Sequence, residues 1–523
     1  MSQAKETNFR VWLEKHDNLI KAIVAMMMPL LLCILRCALQ GEWIGNVDIT
    51  NSEWNDELFY FKQVECILEY GYPQGYFGFN ESHAMYLSFA AWSPVLLFPW
   101  IIWGLLFGWN LMSPIWCNIV VMMLTVFVFV RLVKPNWKQV LTLTVLFAVF
   151  SPMTRFMLSA MPEVLCFAVV ITELALAINY AREAKNWKLV CMLVLVVLMT
   201  LMRPYLLMFI IFPAYFWLKK NVKAGSLGII AVIGITGVIY FSINHFLSAE
   251  YLTPLFDTTW VDVFLTEGFG AGVKNMCSRL WRVGANVKDM LLDGIFNGFH
   301  IGTQYAGFLI LMLIFMVQSV MDWKKKKYQE LHLHFSMVIC FVGMLVALFL
   351  MYKPREGGRH LLTFIAVGIF VLSITETKYF RKAIVTAVTF GYLYVIMAID
   401  PYECQVPFVN EERQAVIAQW EELLAEEMVL DEETAISYDN TIIWTLWDAV
   451  GDTRLAMKWQ ELYAVPKGFG ISCCDDYYVK DHFSELKSRY LAIIADGMLE
   501  EMCTEAGLDE IGRSKEVIIY RLR

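Results

Sequence analysis

The residues with the types and spacing for chemistry stand at the margins of apolar runs. The first are Asp56 and Glu57, in the polar stretch from Asn51 to Tyr60 that follows the first apolar segment. Next come Arg155 and Glu163 in SPMTRFMLSAMPEVL, then Arg203 between two short apolar runs. Last are Lys353, Arg355, Arg359 and His360 in YKPREGGRHLLTF. Ionisable groups near membrane depth are costly and mark functional sites by default. Their combination makes chemical sense. A carboxylate deprotonates or orients an acceptor hydroxyl, and forked guanidinium donors hold a phosphate. Gly357 and Gly358 would let the backbone approach such a phosphate closely.

The set suits transfer of a group from a phosphate-bearing lipid to an acceptor. Asp56 and Glu57 take the catalytic role. Arg203, Lys353, Arg355, Arg359 and His360 hold the donor phosphate, and Arg155 and Glu163 support them. Each group also has a structural reading. Glu57 suits the first turn of a helix capped by Asn55. Arg155 and Glu163 can pair with each other, Arg355 and Arg359 can face lipid headgroups, and His360 suits a helix end.

These groups have to be positioned by a membrane scaffold. Of 523 residues, 58% are hydrophobic and only 18% charged, against roughly 25% charged in an ordinary domain; mean hydropathy is +0.53. Apolar runs of about 17–25 residues recur between basic clusters, which predicts a mainly α, polytopic helical membrane protein. Expected spans are 19–39, 110–133, 139–153, 163–181, 188–202, 205–218, 226–246, 301–321, 331–352, 361–376 and 383–400, about eleven helices. Residues 84–108 are apolar and aromatic enough to cross. If they did, KPNWK, KKNVK, DWKKKK and KYFRK would all fall outside, against the positive-inside rule. We therefore read that segment as interfacial. The N-terminus is then cytoplasmic. The acidic loop 41–108 and the loop 247–300, with Trp260, Lys274, Arg279, Trp281, Arg282 and Lys288, lie outside. The localisation expected is integral to the membrane, most simply the plasma membrane.

Charge divides the chain near Asp400-Pro401. Residues 1–400 carry 31 basic and 25 acidic residues, net +6, and residues 401–523 carry 11 and 25, net −14. The acidic tail argues against nucleic acid as a partner. It reads as an extracytoplasmic α/β domain with a mainly parallel sheet. A helix is expected at Phe408–Met428 and strands near 435–438, 462–465, 490–494 and 516–520. Of 12 cysteines, eight lie in or beside apolar runs, and none forms a metal-ligand spacing. No cofactor is indicated; a divalent metal is compatible but has no motif.

Asn55-Asp56-Glu57, the run from Tyr60 through Ile67-Leu68-Glu69-Tyr70-Gly71-Tyr72-Pro73, and the aromatic segment ending Leu106-Phe107-Gly108 resemble the GT-C glycosyltransferases. That class includes the protein O-mannosyltransferases and the lipid A aminoarabinose transferases. Arg155 with Pro162-Glu163, and Arg359-His360 opening a late span, fit the same pattern over roughly residues 20–375. The resemblance implies a polyprenyl-phosphate sugar donor, inverting transfer to an extracytoplasmic acceptor, Asp56 as catalytic carboxylate and Arg359 on the donor phosphate. Two departures stand out. The aminoarabinose transferases have Lys-Pro-Pro where this chain has Glu81-Ser82-His83. The WWDxG-type motif of oligosaccharyltransferases is missing, which weighs against a whole-oligosaccharide donor and an obligatory metal. The rival classes are a transporter or lipid-linked-glycan flippase, whose charges would sit at the midplane of two related halves, and a scaffold acting through its acidic tail.

Overall fold

The computed structural model describes residues 15–71, 77–81, 94–247, 259–297, 300–352, 358–375, 405–430, 438–449 and 452–523. The first apolar run is α1, Lys15–Leu39, broken at Met27, where Pro29 in the first turn of the following segment withholds a backbone donor. Then comes α2, Asn55–Tyr70, which ends on Gly71 in the left-handed conformation, φ 78°. A three-residue strand, β1 (Phe77–Phe79), precedes a short apolar helix, α3 (Phe98–Phe107). With the 3-10 turn before it, this helix runs Pro94–Phe107. That is about 20 Å at 1.5 Å per residue, short of a bilayer's apolar thickness.

Next are α4 (Ser113–Val133), α5 (Trp137–Val149) and α6 (Ser151–Met157). The Ser151-Pro152 step bends α5 and α6 by 74°, so the uninterrupted span expected over 139–153 is a broken one. They are followed by α7 (Glu163–Arg182), α8 (Asn186–Met202), α9 (Ile211–Lys220) and α10 (Val222–Leu247). The expected span 205–218 divides into a 3-10 stretch, Pro204–Ile210, and α9. Two helices, α11 (Thr259–Thr266) and α12 (Phe269–Asn297), fill most of the second large loop. The helical part closes with α13 (His300–Lys324), α14 (Tyr328–Met351) and α15 (Leu361–Ile374). Among the described residues six helices are long and apolar enough to cross a membrane, or seven with the bent pair as one. The span expected at 383–400 lies outside the described residues.

Side-chain contacts show which helix ends meet. At one end of the bundle Asp17, at the start of α1, accepts from Trp137 Nε1 at 3.0 Å, just after α4. The start of α1 and the end of α4 thus lie at the same end of the bundle. The same end gathers the described basic clusters KPNWK, KKNVK and DWKKKK; KYFRK lies outside the described residues. Lys220 reaches Asn186 at 2.9 Å, Gln329 reaches the Ala181 carbonyl at 3.4 Å, and Gln139 reaches the Ile374 carbonyl at 3.0 Å.

The opposite end carries the C-terminal domain: α16 (Glu411–Glu427), β2 (Thr441–Ala449), β3 (Asp452–Leu455), β4 (Gly470–Asp475), α17 (Asp476–Asp481), β5 (Tyr490–Ile494), α18 (Met498–Glu505), β6 (Asp509–Arg513) and β7 (Val517–Arg521). The sheet order is β1-β4-β2-β5-β7-β6, with β3 on β2. Pairing is parallel from β1 to β5 and antiparallel beyond, so the sheet is mixed and its first strand comes from the first loop. Alternation gives it two faces. Ile442, Trp444, Ile471, Tyr490, Ala492 and Ile519 join the core continuous with the helices, while Ile443, Leu491, Ile493 and Ile518 form a second core beneath α17 and α18. Cys473 and Cys474 point to opposite faces and are free thiols.

Of the expected strands, 490–494 forms as read, and 516–520 forms one residue later, at Val517–Arg521. Leu462–Val465 is instead a 3-10 turn, Glu461–Ala464, because Pro466 cannot extend a ladder and Leu462 and Tyr463 bury against neighbouring helices. The strand expected at 435–438 falls mostly outside the described residues.

Candidate active site

The N-terminus of α2 is anchored from below and above. Asp48 caps the preceding turn through Thr50 N at 2.9 Å and its own amide donates to the Pro407 carbonyl at 2.9 Å. Gln460 donates to the Ser52 carbonyl at 2.9 Å, and Lys62 donates to the Val465 carbonyl at 3.1 Å. The C-terminal domain therefore sits directly on α2. Gly468, at φ 86°, lies where a Cβ would come within 3.0 Å of the Tyr70 ring, so the close approach needs glycine.

Asp56 leaves the first turn of α2 and pairs with Arg359, in the 3-10 turn Gly358–His360 that opens α15. Both side chains are about one-third exposed, 32% and 31%. Behind them the network is buried. Arg359 Nε lies 4.0 Å from Glu163 Oε1, and the same oxygen accepts from Arg203 Nη2 at 2.7 Å. Glu163 is the first residue of α7, and Arg203, fully buried, terminates α8. Arg203 Nη1 is 3.0 Å from His360 Nδ1, and the Tyr205 hydroxyl is 3.2 Å from the same nitrogen. A guanidinium only donates, so Nδ1 is an acceptor and the ring proton of His360 resides on Nε2. The charges thus alternate from Asp56 through Arg359 and Glu163 to Arg203, and His360 adds a neutral end. A buried guanidinium is tolerable only with such a partner.

Tyr60 belongs to this site. It lies one turn after Asp56 on the same helical face, it is buried, and its phenol interacts electrostatically with Arg203, Asp56, Arg359 and Glu163. Burial pushes its pKa above the usual tyrosine value. The i, i+4 spacing from Asp56 was the signal in the sequence.

Glu57 points the other way. Its carboxylate is fully buried and accepts from Ser52 Oγ at 2.7 Å, Ala160 N at 2.8 Å and Arg155 Nη2 at 3.2 Å. Arg155 also stacks on Trp54, its guanidinium carbon 3.7 Å from the ring centroid. Burial raises the Glu57 pKa, and Arg155, Ser52 and Ala160 oppose the rise. Arg155 and Glu163 are therefore not each other's partners: Arg155 serves Glu57, which ties α2 to the turn after α6, and Glu163 serves Arg203. That turn is held in its own right by Asn118, which donates to the Ser159 carbonyl at 3.0 Å and accepts from Trp100 at 2.9 Å.

Asp56, Arg359, Glu163, Arg203 and His360 are thus brought together, while Glu57 and Arg155 form an adjoining pair. Lys353 and Arg355 lie outside the described residues. Among the described residues no group of three or more His, Cys, Asp or Glu side chains is placed to hold a metal ion. The arrangement offers an accessible carboxylate beside an accessible guanidinium, a unit able to take a proton on one side and bind a phosphate on the other.

No family model matches this chain, and no curated protein matches it. Among solved structures, the crystal structure of ArnT from Cupriavidus metallidurans bound to undecaprenyl phosphate is similar over 96% of this chain and 98% of that chain, at 9% identity and a TM-score of 0.42. A likeness at that level carries no conclusion about the chemistry of this site, which stands on its own geometry.

Proposed function

We propose that this protein is a membrane glycosyltransferase that moves a sugar from a polyprenyl-phosphate-linked donor to an extracytoplasmic acceptor, a cell-envelope glycan, lipid or protein, with inversion at the anomeric carbon. The observation that supports this reading is the exposed Asp56–Arg359 pair backed by the buried Glu163–Arg203 pair. In the reaction, donor phosphate takes the Asp56 oxygen's place on Arg359 and leaves the carboxylate facing the acceptor. The acceptor O–H gives its proton to Asp56 as its oxygen attacks the anomeric carbon. The bond from that carbon to the phosphate oxygen breaks, its electron pair stays on the phosphate, and Arg359 neutralises the departing polyprenyl phosphate. Glu163 and Arg203 keep Arg359 in place. Lys353 and Arg355 supply further cations from the same segment, and His360 contributes an N–H from Nε2.

Undecaprenyl phosphate tests the binding half without knowledge of the sugar. Titrated into the purified full chain in uncharged detergent, it is expected to bind the Arg359→Ala protein at least tenfold more weakly than the unmodified one. Equal affinity would remove Arg359 from the donor site and with it the reading.

A further inference from the structure

A cavity of about 450 Å³ opens at the basic end of the bundle, the end opposite Asp56. Its size is that of a small-molecule pocket. The floor is polar and held rigid. His334 Nδ1 is 2.7 Å from Asp322 Oδ2, His334 Nε2 is 2.9 Å from Thr375 Oγ1, and Gln318 Nε2 donates to Asp322 Oδ1 at 3.0 Å. All four side chains are buried, and they join the ends of α13, α14 and α15. A buried, hydrogen-bonded network of this kind makes a preformed surface. One atom of the network is left over: among the described residues, buried Gln318 Oε1 accepts no hydrogen bond. Gln318 lines the cavity, so a ligand hydroxyl is the donor this acceptor lacks.

The rim has a different character. Lys134 and Arg182 line it, both exposed, and neither has a carboxylate partner among the described residues. Arg182 is steadied by donating to the Val133 carbonyl. Lys327 also lines the rim but spends its charge on Glu330 at 3.6 Å. Both oxygens of Asp322 are occupied, which together with the cationic rim disfavours a metal or an organic cation. A neutral sugar leaves the rim charges unanswered. The walls between, including Phe212, Phe216 and Ile178, are apolar.

We propose that this cavity binds a hydroxylated phosphate ester of the glycerol phosphate type, its phosphate on Lys134 and Arg182 and a hydroxyl donating to Gln318 Oε1. The same chemistry occurs in a free ester and in a lipid headgroup, and the experiment separates them. The full chain in uncharged detergent is titrated with short-chain phosphatidylglycerol, short-chain phosphatidylcholine and sn-glycerol 3-phosphate, with thermal shift as the readout. Phosphatidylglycerol is expected to stabilise the protein and phosphatidylcholine is not. Saturation by sn-glycerol 3-phosphate at similar concentration assigns the free ester, and response to the lipid alone assigns the headgroup.

The K134N/R182Q protein is expected to lose at least tenfold in affinity, and Gln318→Met several-fold. The double variant keeps its fold, because both side chains are exposed and Asn tolerates the left-handed backbone of Lys134, φ 53°. Asp56→Asn is expected to bind as the unmodified protein does, which keeps this cavity's test separate from that of the transferase site. Equal response to the two lipids, no response to any of the three probes, or undiminished binding by the double variant overturns the proposal.

Discussion

Asp56 and Glu57 are neighbours in the chain, and the structure gives them opposite surroundings, so the duties proposed for them can be separated by mutation. The perturbation is the amide at each position: Asp56→Asn and Glu57→Gln. Asp56 and Arg359 are each about one-third exposed, so their pair belongs with partly solvated ion pairs worth about 0.2–1 kcal/mol. Removing the Asp56 charge should therefore shift the melting temperature very little. Glu57 is fully buried and accepts three hydrogen bonds, one of them from Arg155, itself buried. Its amide removes the carboxylate paired with that guanidinium, and breaking a buried pair by removing one partner costs about 3–5 kcal/mol. Part of this is retained because the amide oxygen still accepts, so about 2–3 kcal/mol is the expected cost.

Two assays read the contrast on the purified full chain: thermal unfolding in detergent, and sugar transfer from a panel of polyprenyl-phosphate sugars. Asp56→Asn should unfold with the unmodified protein, bind undecaprenyl phosphate, and lose about 10²–10⁴-fold in transfer, the worth of a positioned general base. Glu57→Gln should unfold several degrees earlier, and what remains folded should transfer at a rate near normal. A Glu57→Gln protein of full stability, or an Asp56→Asn protein of full activity, refutes the division of labour.

Three further outcomes follow from other buried groups. Glu81, buried at φ 58°, accepts from Lys487 N, Ser488 N and Ser488 Oγ at 2.7–2.9 Å. Glu81→Ala should cost about 3 kcal/mol or more and be seen as faster amide exchange at residues 487–488; unchanged exchange would show that β1 alone secures the junction. Burial pushes the Asp476 carboxyl up to about 6. Between pH 4 and 6 the unfolded chain releases this proton while the folded domain keeps it, so stability falls as pH rises through that window and stays lower above it. Asp476→Asn should recover about 2–3 kcal/mol at pH 7 and nothing at pH 4, and an equal gain at both pH values contradicts that. Glu173 is fully buried in α7 with neither carboxyl oxygen hydrogen-bonded among the described residues. Glu173→Met should raise the melting temperature, since burying an unbonded polar group costs about 1–3 kcal/mol; a lowered one would show that the carboxyl has a partner.

Some of this was legible in the amino acids alone. Apolar runs bounded by basic clusters determined a helical membrane part, and the placement of KPNWK, KKNVK and DWKKKK was enough to keep residues 84–108 from being read as a span. The short apolar runs YLAII and VIIY marked strands, and Arg203 between two apolar runs announced a cation in need of a partner. These are local properties, carried by periodicity and by the cost of placing a charge away from water.

Tertiary structure decided the partners. Glu163 went to Arg203 and not to Arg155, eight residues before it, because Arg155 sits on α6 beyond the Pro152 bend while Glu163 opens the next helix. Asp56 met a guanidinium 303 residues away, and Phe77–Phe79 completed the edge of a sheet whose other strands all begin after residue 440. Which helix ends converge depends on the angles at which whole helices pack, and no window of sequence contains that information. The local pattern says which groups need a partner; only the packing of distant segments says which one they get.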